Sequence, residues 1–261
     1  MAAKRESEPR ELVGVLPAAG TATRLGRLPC SKEILPLGLV GDDSRHCRVR
    51  VAIEDALDGL WAAGVQRAVI VLAPGKEDIR QYLGDGADRG LDIAYETLPD
   101  SPGSPWSVNA ARDRIGDADT ALVFPDIRFE PMTALAELRR AAADGSADLW
   151  LALVPSNRGH KVDLVRTDDD GRVTAIEIKP GADHAGWTWV TALWRPRFAD
   201  FLQARLGAAG PTAEERHVGD FINDAIAAGL EVRARRFPDG TARDIGTPED
   251  LMQAWRSGDG A

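Results

Sequence analysis

Five charged residues stand where a phosphate or a metal ion could meet them. Arg24 and Lys32 flank a short stretch that begins with small residues, Ala18-Ala19-Gly20-Thr21-Ala22-Thr23. That run follows an apolar segment, Leu12-Val13-Gly14-Val15-Leu16, suited to a buried strand. Small side chains after a strand let the backbone approach a ligand and offer N–H groups to phosphate oxygens. An Arg fork and a Lys point charge would then supply the countercharge. Asp126 comes just past the apolar run at 120–124, and Asp244 precedes a helix start at Pro248. Open α/β sheets bind ligands at strand ends, and Mg²⁺ takes one or two carboxylates together with substrate phosphates. Lys179, ahead of Pro180, is the fifth candidate, a second phosphate ligand. Taken singly, each feature has a plainer explanation. The loop is equally a tight turn with two surface cations, Asp126 a strand-end turn, and Asp244 a helix-entry carboxylate. The loop is not a Walker loop, since no Gly-Lys-Ser/Thr follows, and it is not G-x-G-x-x-G.

Those residues must be carried by a scaffold, and the apolar pattern predicts one. Strands are expected at 12–16, 68–73, 91–97 and 120–124, with helices at 51–63, 76–83 and from Trp106 to about Arg114. The stripe at Val51, Ile53, Leu57, Leu60 and Trp61 is the predicted buried face of the first helix. Strand and helix alternating in this rhythm predict a parallel sheet wound with helices. An alanine-rich helix is expected at 131–143 and strands at 147–154, 162–167 and 173–178, with a hairpin turn at 168–171. The segment Trp187-Thr188-Trp189-Val190-Thr191-Ala192-Leu193-Trp194 reads first as a strand packed on both faces, and second as an aromatic platform for a sugar. Helices at 198–206 and 218–228, a strand at 230–237 and a closing helix at 248–256 capped by Thr247 complete the pattern. Residues 42–46 read as a surface excursion, and the first ten residues and 257–261 as frayed ends.

The chain has 261 residues, 44% hydrophobic and 28% charged, with a formal net charge of −9 and a pI near 5.0. The length allows a substantial core. The acidic balance argues against a broad nucleic-acid or membrane-surface footprint but leaves room for a local basic pocket. Cys30 and Cys47 are the only cysteines, without zinc spacing, and reduced thiols in a cytoplasmic protein are expected. The N-terminal residues are charged and lack a signal-peptide core, and no run approaches transmembrane length.

Together the motifs resemble those of the sugar-1-phosphate nucleotidylyltransferases, in the group of glucose-1-phosphate thymidylyl- and uridylyltransferases. Pro17 to Arg24 sits residue for residue on that family's Leu-Ala-Gly-Gly-x-Gly-Thr-Arg, and Ser31-Lys32-Glu33-Ile34-Leu35-Pro36-Leu37 resembles its Lys followed by Leu-Pro. Pro125-Asp126-Ile127 matches its strand-end Pro-Asp-Val. Residues 168–180 resemble its strand-turn-strand ending in Glu-Lys-Pro, and Asp244-Ile245-Gly246-Thr247 its closing Asp-x-Gly-Thr. The order is the family's over about 240 residues of the 261. The resemblance implies a single three-layer α/β/α nucleotidyltransferase domain with a central mixed, mostly parallel sheet. Residues 11–145 would form its nucleotide-binding half and 146–257 its sugar-phosphate half with the closing helix. It implies that an NTP, with dTTP or UTP favoured, is joined to a sugar 1-phosphate. Arg24 would hold the β- and γ-phosphates and Lys32 the α-phosphate. Ala18, Ala19, Gly20, Thr21 and Thr23, with Gly103 and Trp106, would bind the nucleotide. Lys179 and Asp163 would hold the sugar phosphate, and Asp126 and Asp244 Mg²⁺. A homo-oligomer is compatible with this picture.

Departures from the family bear on specificity. Two loop glycines are Ala19 and Ala22, which tightens phosphate access. Gly103-Ser104-Pro105-Trp106-Ser107 keeps only the first glycine of the pyrimidine-reading loop. Val162-Asp163-Leu164 replaces Tyr-Gly-Val, and Ile178 replaces the Glu of Glu-Lys-Pro. Two alternatives follow: a cytidylyltransferase acting on an alditol phosphate or phosphonate, or a regulatory protein that binds nucleotide sugars without turnover.

Overall fold

The computed structural model describes residues 10–41, 47–209 and 216–256; the expected excursion at 42–46 and, of the expected frayed ends, residues 1–9 and 257–261 lie outside the described residues, while Arg10 is not frayed but donates to Asp119 at 3.1 Å. The chain opens with strand β1 (Leu12–Ala18), a hairpin of β2 (Pro36–Val40) and β3 (Arg48–Val51), and helix α1 (Ala52–Ala62). Next come β4 (Arg67–Leu72), α2 (Glu77–Leu83), β5 (Asp92–Thr97) and the short helices α3 (Ser104–Ala110) and α4 (Arg112–Ile115). Then follow β6 (Asp119–Val123), β7 (Ile127–Glu130), α5 (Ala134–Ala141), β8 (Leu149–Ser156), and the hairpin of β9 (Leu164–Thr167) and β10 (Val173–Glu177). The last part holds β11 (Gly186–Trp194), α6 (Pro196–Ala209), α7 (Val218–Ala227), β12 (Val232–Arg236), β13 (Thr241–Asp244) and α8 (Pro248–Arg256).

Seven strands form one sheet in the order β12-β8-β11-β6-β1-β4-β5. Only β11 runs against its neighbours in this sheet; the other pairings are parallel, as expected for strands joined by crossover helices. Side chains alternate across β1. Leu12 and Leu16 join the core layer under α1, α2 and α5, while Val13 and Val15 join the layer under α3, α4, α6 and α7. Apolar strands covered on both faces give the three-layer α/β/α arrangement. At Gly14 an added Cβ would stand 2.7 Å from Leu60 Cδ1, so glycine is what lets α1 lie close to β1.

One predicted core residue is misplaced. Trp61 is 65% exposed, because α1 buries Ile53, Leu57 and Leu60 and the next position already turns outward. Two two-stranded ladders absent from the apolar pattern also appear, the hairpin of β2 with β3 and the long-range pair of β7 with β13. The second positions the site: β13 pairs antiparallel with β7, Asp244 opposite Ile127, and the Ile245 N–H donates to the Asp126 carbonyl at 3.1 Å. Thr247 caps α8 as expected, its Oγ1 accepting the Asp250 N–H at 3.3 Å. Among the described residues, no helix is long and apolar enough to cross a membrane.

Candidate active site

The loop after β1 and the end of β6 face one another at the carboxyl edge of the parallel strands. Ala18 and Ala19 are buried, whereas Gly20, Thr21, Thr23 and Arg24 are exposed, so the backbone turns outward where a phosphate would come. Ala22 takes the left-handed conformation (φ 54°, ψ 29°), which glycine reaches without strain and alanine does not. The sequence departure at this position therefore has a cost in backbone energy, of order 1 kcal/mol. A cleft of about 430 Å³ opens under the loop, with Thr21, Ala22, Ser31, Lys32 and Lys76 among its lining.

Lys32 starts a single 3₁₀ turn (Lys32–Ile34) whose two flanks are held by the loop and first turn at α2. Before it, the Ser31 N–H and Oγ donate to the two oxygens of Asp78, each at 2.7 Å. After it, the buried Glu33 carboxylate accepts the Lys76 ammonium at 2.8 and 2.9 Å, and Lys76 also donates to the Ala18 carbonyl at 2.7 Å. The Lys32 ammonium points between these supports and forms an ion pair with Asp126. Burial alone lowers the Lys32 pKa, but Asp126, Glu33 and Asp244 more than offset it and hold it above its usual value. Lys32 is thus a fixed positive charge rather than a base. Lys76, Glu33 and Asp78 escaped the sequence reading, although Lys76 follows the end of β4 just as Asp126 follows β6. Strand-end position was the signal that could have found it. Cys30, in the same loop, has its thiol pushed up by burial and by Asp78 and Glu33, which opposes thiolate formation.

Asp126 and Asp244 come together, as the β7–β13 pairing requires. Burial raises the Asp244 carboxyl and the Asp126 charge raises it further, against the Gly246 N–H, Lys32 and Arg24. The Gly246 N–H donates to Asp244 Oδ1 at 2.6 Å. A Cβ on Gly246 would lie 2.8 Å from Asp244 Oδ1 and 3.0 Å from Arg24 Nη2, so glycine admits both charged groups to the same small space. Two carboxylates crowded in a half-buried cleft, with Lys32 already drawn onto one, suit a hard divalent cation with phosphate ligands. Among the described residues no group of three or more His, Cys, Asp and Glu has the arrangement of a metal cage.

The residues expected at the sugar phosphate gather near His217. Lys179 has φ 40°, and its Nζ lies 3.3 Å from His217 Nε2, a residue ahead of α7 that no spacing in the sequence marked. Burial raises the Asp163 pKa over the opposing effect of His217, Lys179 and Trp189, which stand around its carboxylate. The three tryptophans of β11 separate by position. Trp194 is core, packed on Phe198 at 5.2 Å, and Trp187 lies under Arg236 at 5.0 Å. Trp189 alone reaches the cleft, against Phe124 at 5.5 Å.

In the loop expected to read the base, Trp106 sets its edge against Phe221 at 6.2 Å and packs on the core beneath α7. Gly103 is extended, and an added Cβ would meet the Arg216 carbonyl at 3.2 Å. The geometry here is that of a loop seated on the start of α7.

A mostly parallel sheet with helices on both faces and this cluster at its carboxyl edge defines a nucleotidyltransferase-like α/β protein. The chain belongs to the Nucleotidyl transferase family, whose match covers residues 13–258. It is 28% identical over 246 residues to the glucose-1-phosphate thymidylyltransferase of Neisseria meningitidis, covering 92% of this chain and 80% of that one. It is 23% identical over 245 residues to the low-salt glycan biosynthesis nucleotidyltransferase Agl11 of Haloferax volcanii, spanning 92% of this chain but 64% of that relative. Among solved structures, a Bacillus anthracis protein described as a glucose-1-phosphate thymidylyltransferase superposes with a TM-score of 0.80 at 17% identity, over 95% of both chains. A UDP-glucose pyrophosphorylase complexed with UDP-glucose gives 0.75 at 17% identity, over 95% of this chain and 98% of that one.

Proposed function

We propose that this protein joins a nucleoside triphosphate, dTTP or UTP, to a sugar 1-phosphate and releases pyrophosphate. The observation that carries this reading is the convergence of Arg24, Lys32, Asp126 and Asp244 from four separate segments onto one cleft. The names of the relatives, thymidylyltransferase and UDP-glucose pyrophosphorylase, favour dTTP or UTP over CTP.

The reaction asks little covalent chemistry of the protein. An oxygen of the sugar phosphate, already anionic, attacks the α-phosphorus. The new P–O bond forms as the bond to the β-phosphate oxygen breaks, and pyrophosphate leaves with that electron pair. Positioning and charge neutralisation then carry the catalysis. Lys32, held in its charged form, neutralises the α-phosphate oxygens, and Arg24 takes the β- and γ-phosphates. The backbone N–H groups at 19–23 contact the same phosphates. Lys179, beside His217, holds the acceptor phosphate. Asp126 and Asp244 would hold Mg²⁺, which when bound supplies further countercharge to the phosphate oxygens. A nucleotide-sugar sensor has little use for this charge set, which disfavours the purely regulatory alternative.

The test is a matrix of NTPs against sugar 1-phosphates with Mg²⁺, read as pyrophosphate release. Turnover confined to dTTP or UTP with a sugar 1-phosphate is the expected result. No pyrophosphate from any pair would remove the proposal.

A further inference from the structure

Around the space beside Asp244, the long charged side chains and Ser156 already have protein partners. Lys161 donates to Asp250 Oδ2 at 2.8 Å, and Arg158 is paired with the other oxygen of the same carboxylate. Ser156 Oγ accepts the Arg158 N–H at 3.1 Å. What faces the space beside Asp244 is mainly aromatic and aliphatic, Trp189 with Val162, Ile127, Val190 and Ala242. Trp189 is partly exposed there and braced by Phe124, whose ring is tilted 58° to it. This space holds about 60 Å³, against about 430 Å³ under the phosphate loop.

Resting on the proposed reaction, we infer that Trp189 selects the acceptor by the size and shape of its ring, not by hydrogen bonds to its hydroxyls. The substrate class is an unsubstituted sugar 1-phosphate, with sugars bearing a bulky ring substituent excluded. The physical reason is an asymmetry in how sites discriminate. A site built to hydrogen-bond a particular hydroxyl rejects the analogue lacking it by ~10⁴-fold or more, because its own polar group is left unpaired. An apolar wall has no such group and discriminates among hydroxyl variants by only ~10- to 100-fold. Added bulk is different, since a braced indole in a small space yields only by shifting its neighbours.

The experiment compares glucose 1-phosphate, its galactose epimer, its 2-deoxy analogue and N-acetylglucosamine 1-phosphate, each as kcat/KM with the preferred nucleotide. The first three should agree within about tenfold and the N-acetylated sugar should fall about a hundredfold lower. In Trp189→Ala the N-acetylated sugar should gain at least about tenfold relative to glucose 1-phosphate. Trp189→Phe, which keeps a flat wall but lacks the indole N–H, should retain the wild-type ranking. Val162→Ala widens the same space without touching Trp189 and should shift the ratio in the same direction, which covers a Trp189→Ala protein that fails to fold. Discrimination among the first three sugars above about a thousandfold, or an unmoved N-acetyl ratio in both widening variants, overturns the inference. If no pair releases pyrophosphate, the reaction itself fails. The wall is then judged by thermal shift with the same four sugar phosphates, where equal binding of the N-acetylated sugar to the wild type overturns it.

Discussion

Replacing Lys76 by methionine removes three hydrogen-bond donors while keeping an unbranched side chain of similar reach. Glu33, whose relative exposure is 0%, would lose both contacts from the ammonium, and the Ala18 carbonyl would lose its donor. Breaking a buried pair by removing one partner costs about 3–5 kcal/mol, because the other charge is stranded. Lys32 still stands near Glu33 and offsets part of this, which places the expected loss near the lower end, about 3 kcal/mol. For a chain of this size that is a fall in Tm of about 6–12 °C. The loss should depend on pH with a definite sign. Burial raises the Glu33 pKa above its ordinary 4.5, while Lys76 and Lys32 pull it down. A raised carboxyl pKa means a contribution to stability that is full below the unfolded value and lost as pH rises through the folded one. Without Lys76 the folded value rises further, so the deficit of Lys76→Met should be small near pH 5 and grow towards pH 8, as roughly follows from that linkage. Adding Glu33→Gln should recover most of the loss, since no stranded charge remains, giving a coupling of about 2 kcal/mol in the double-mutant cycle. Urea and thermal unfolding of the four proteins at both pH values test the argument. A deficit under about 1 kcal/mol at pH 8, no dependence on pH, or simple additivity would refute it.

Other predictions follow from the same geometry. Asp244→Asn should abolish most turnover yet raise stability by about 1 kcal/mol at neutral pH, because it removes a charge that burial and Asp126 disfavour; a lower Tm would contradict this. Lys179→Ala should raise the KM for the sugar phosphate, and Lys32→Ala should lower kcat, since the charge Lys32 meets grows in the transition state. Equal effects of both on KM alone would end that division of labour. Trp106→Ala should cost about 2 kcal/mol in stability through lost packing on Phe221 while leaving dTTP and UTP affinities within about threefold. A parallel tenfold weakening of both nucleotides would instead support the expected contact of Trp106 with the nucleotide.

How far the sequence reaches is clearest from individual residues. Apolar runs such as 68–73 and 120–124 can satisfy their backbone groups only as buried strands, and their alternation with helical stripes was enough for the mostly parallel sheet. The order of the charged motifs was enough for the family. Trp61 misled because a helical stripe read from spacing has no fixed edge, and only the docking of α1 on β1 sets where it ends. The short ladders β2–β3 and β7–β13 were illegible for a related reason. Strands of four or five residues with at most one buried side chain each lack the apolar repeat that marks a strand, and only their partners across the ladder define them. The meeting of Asp126 and Asp244, 118 positions apart, rests on that second ladder. Residue type and order thus determined the chemistry available, phosphate countercharge and paired carboxylates. Tertiary structure decided which polar groups remain free for a substrate: it tied Ser31 to Asp78, Glu33 to Lys76 and Lys161 to Asp250. A hydrogen bond between distant residues leaves no periodic trace in the chain, because it depends on where two independent elements come to rest.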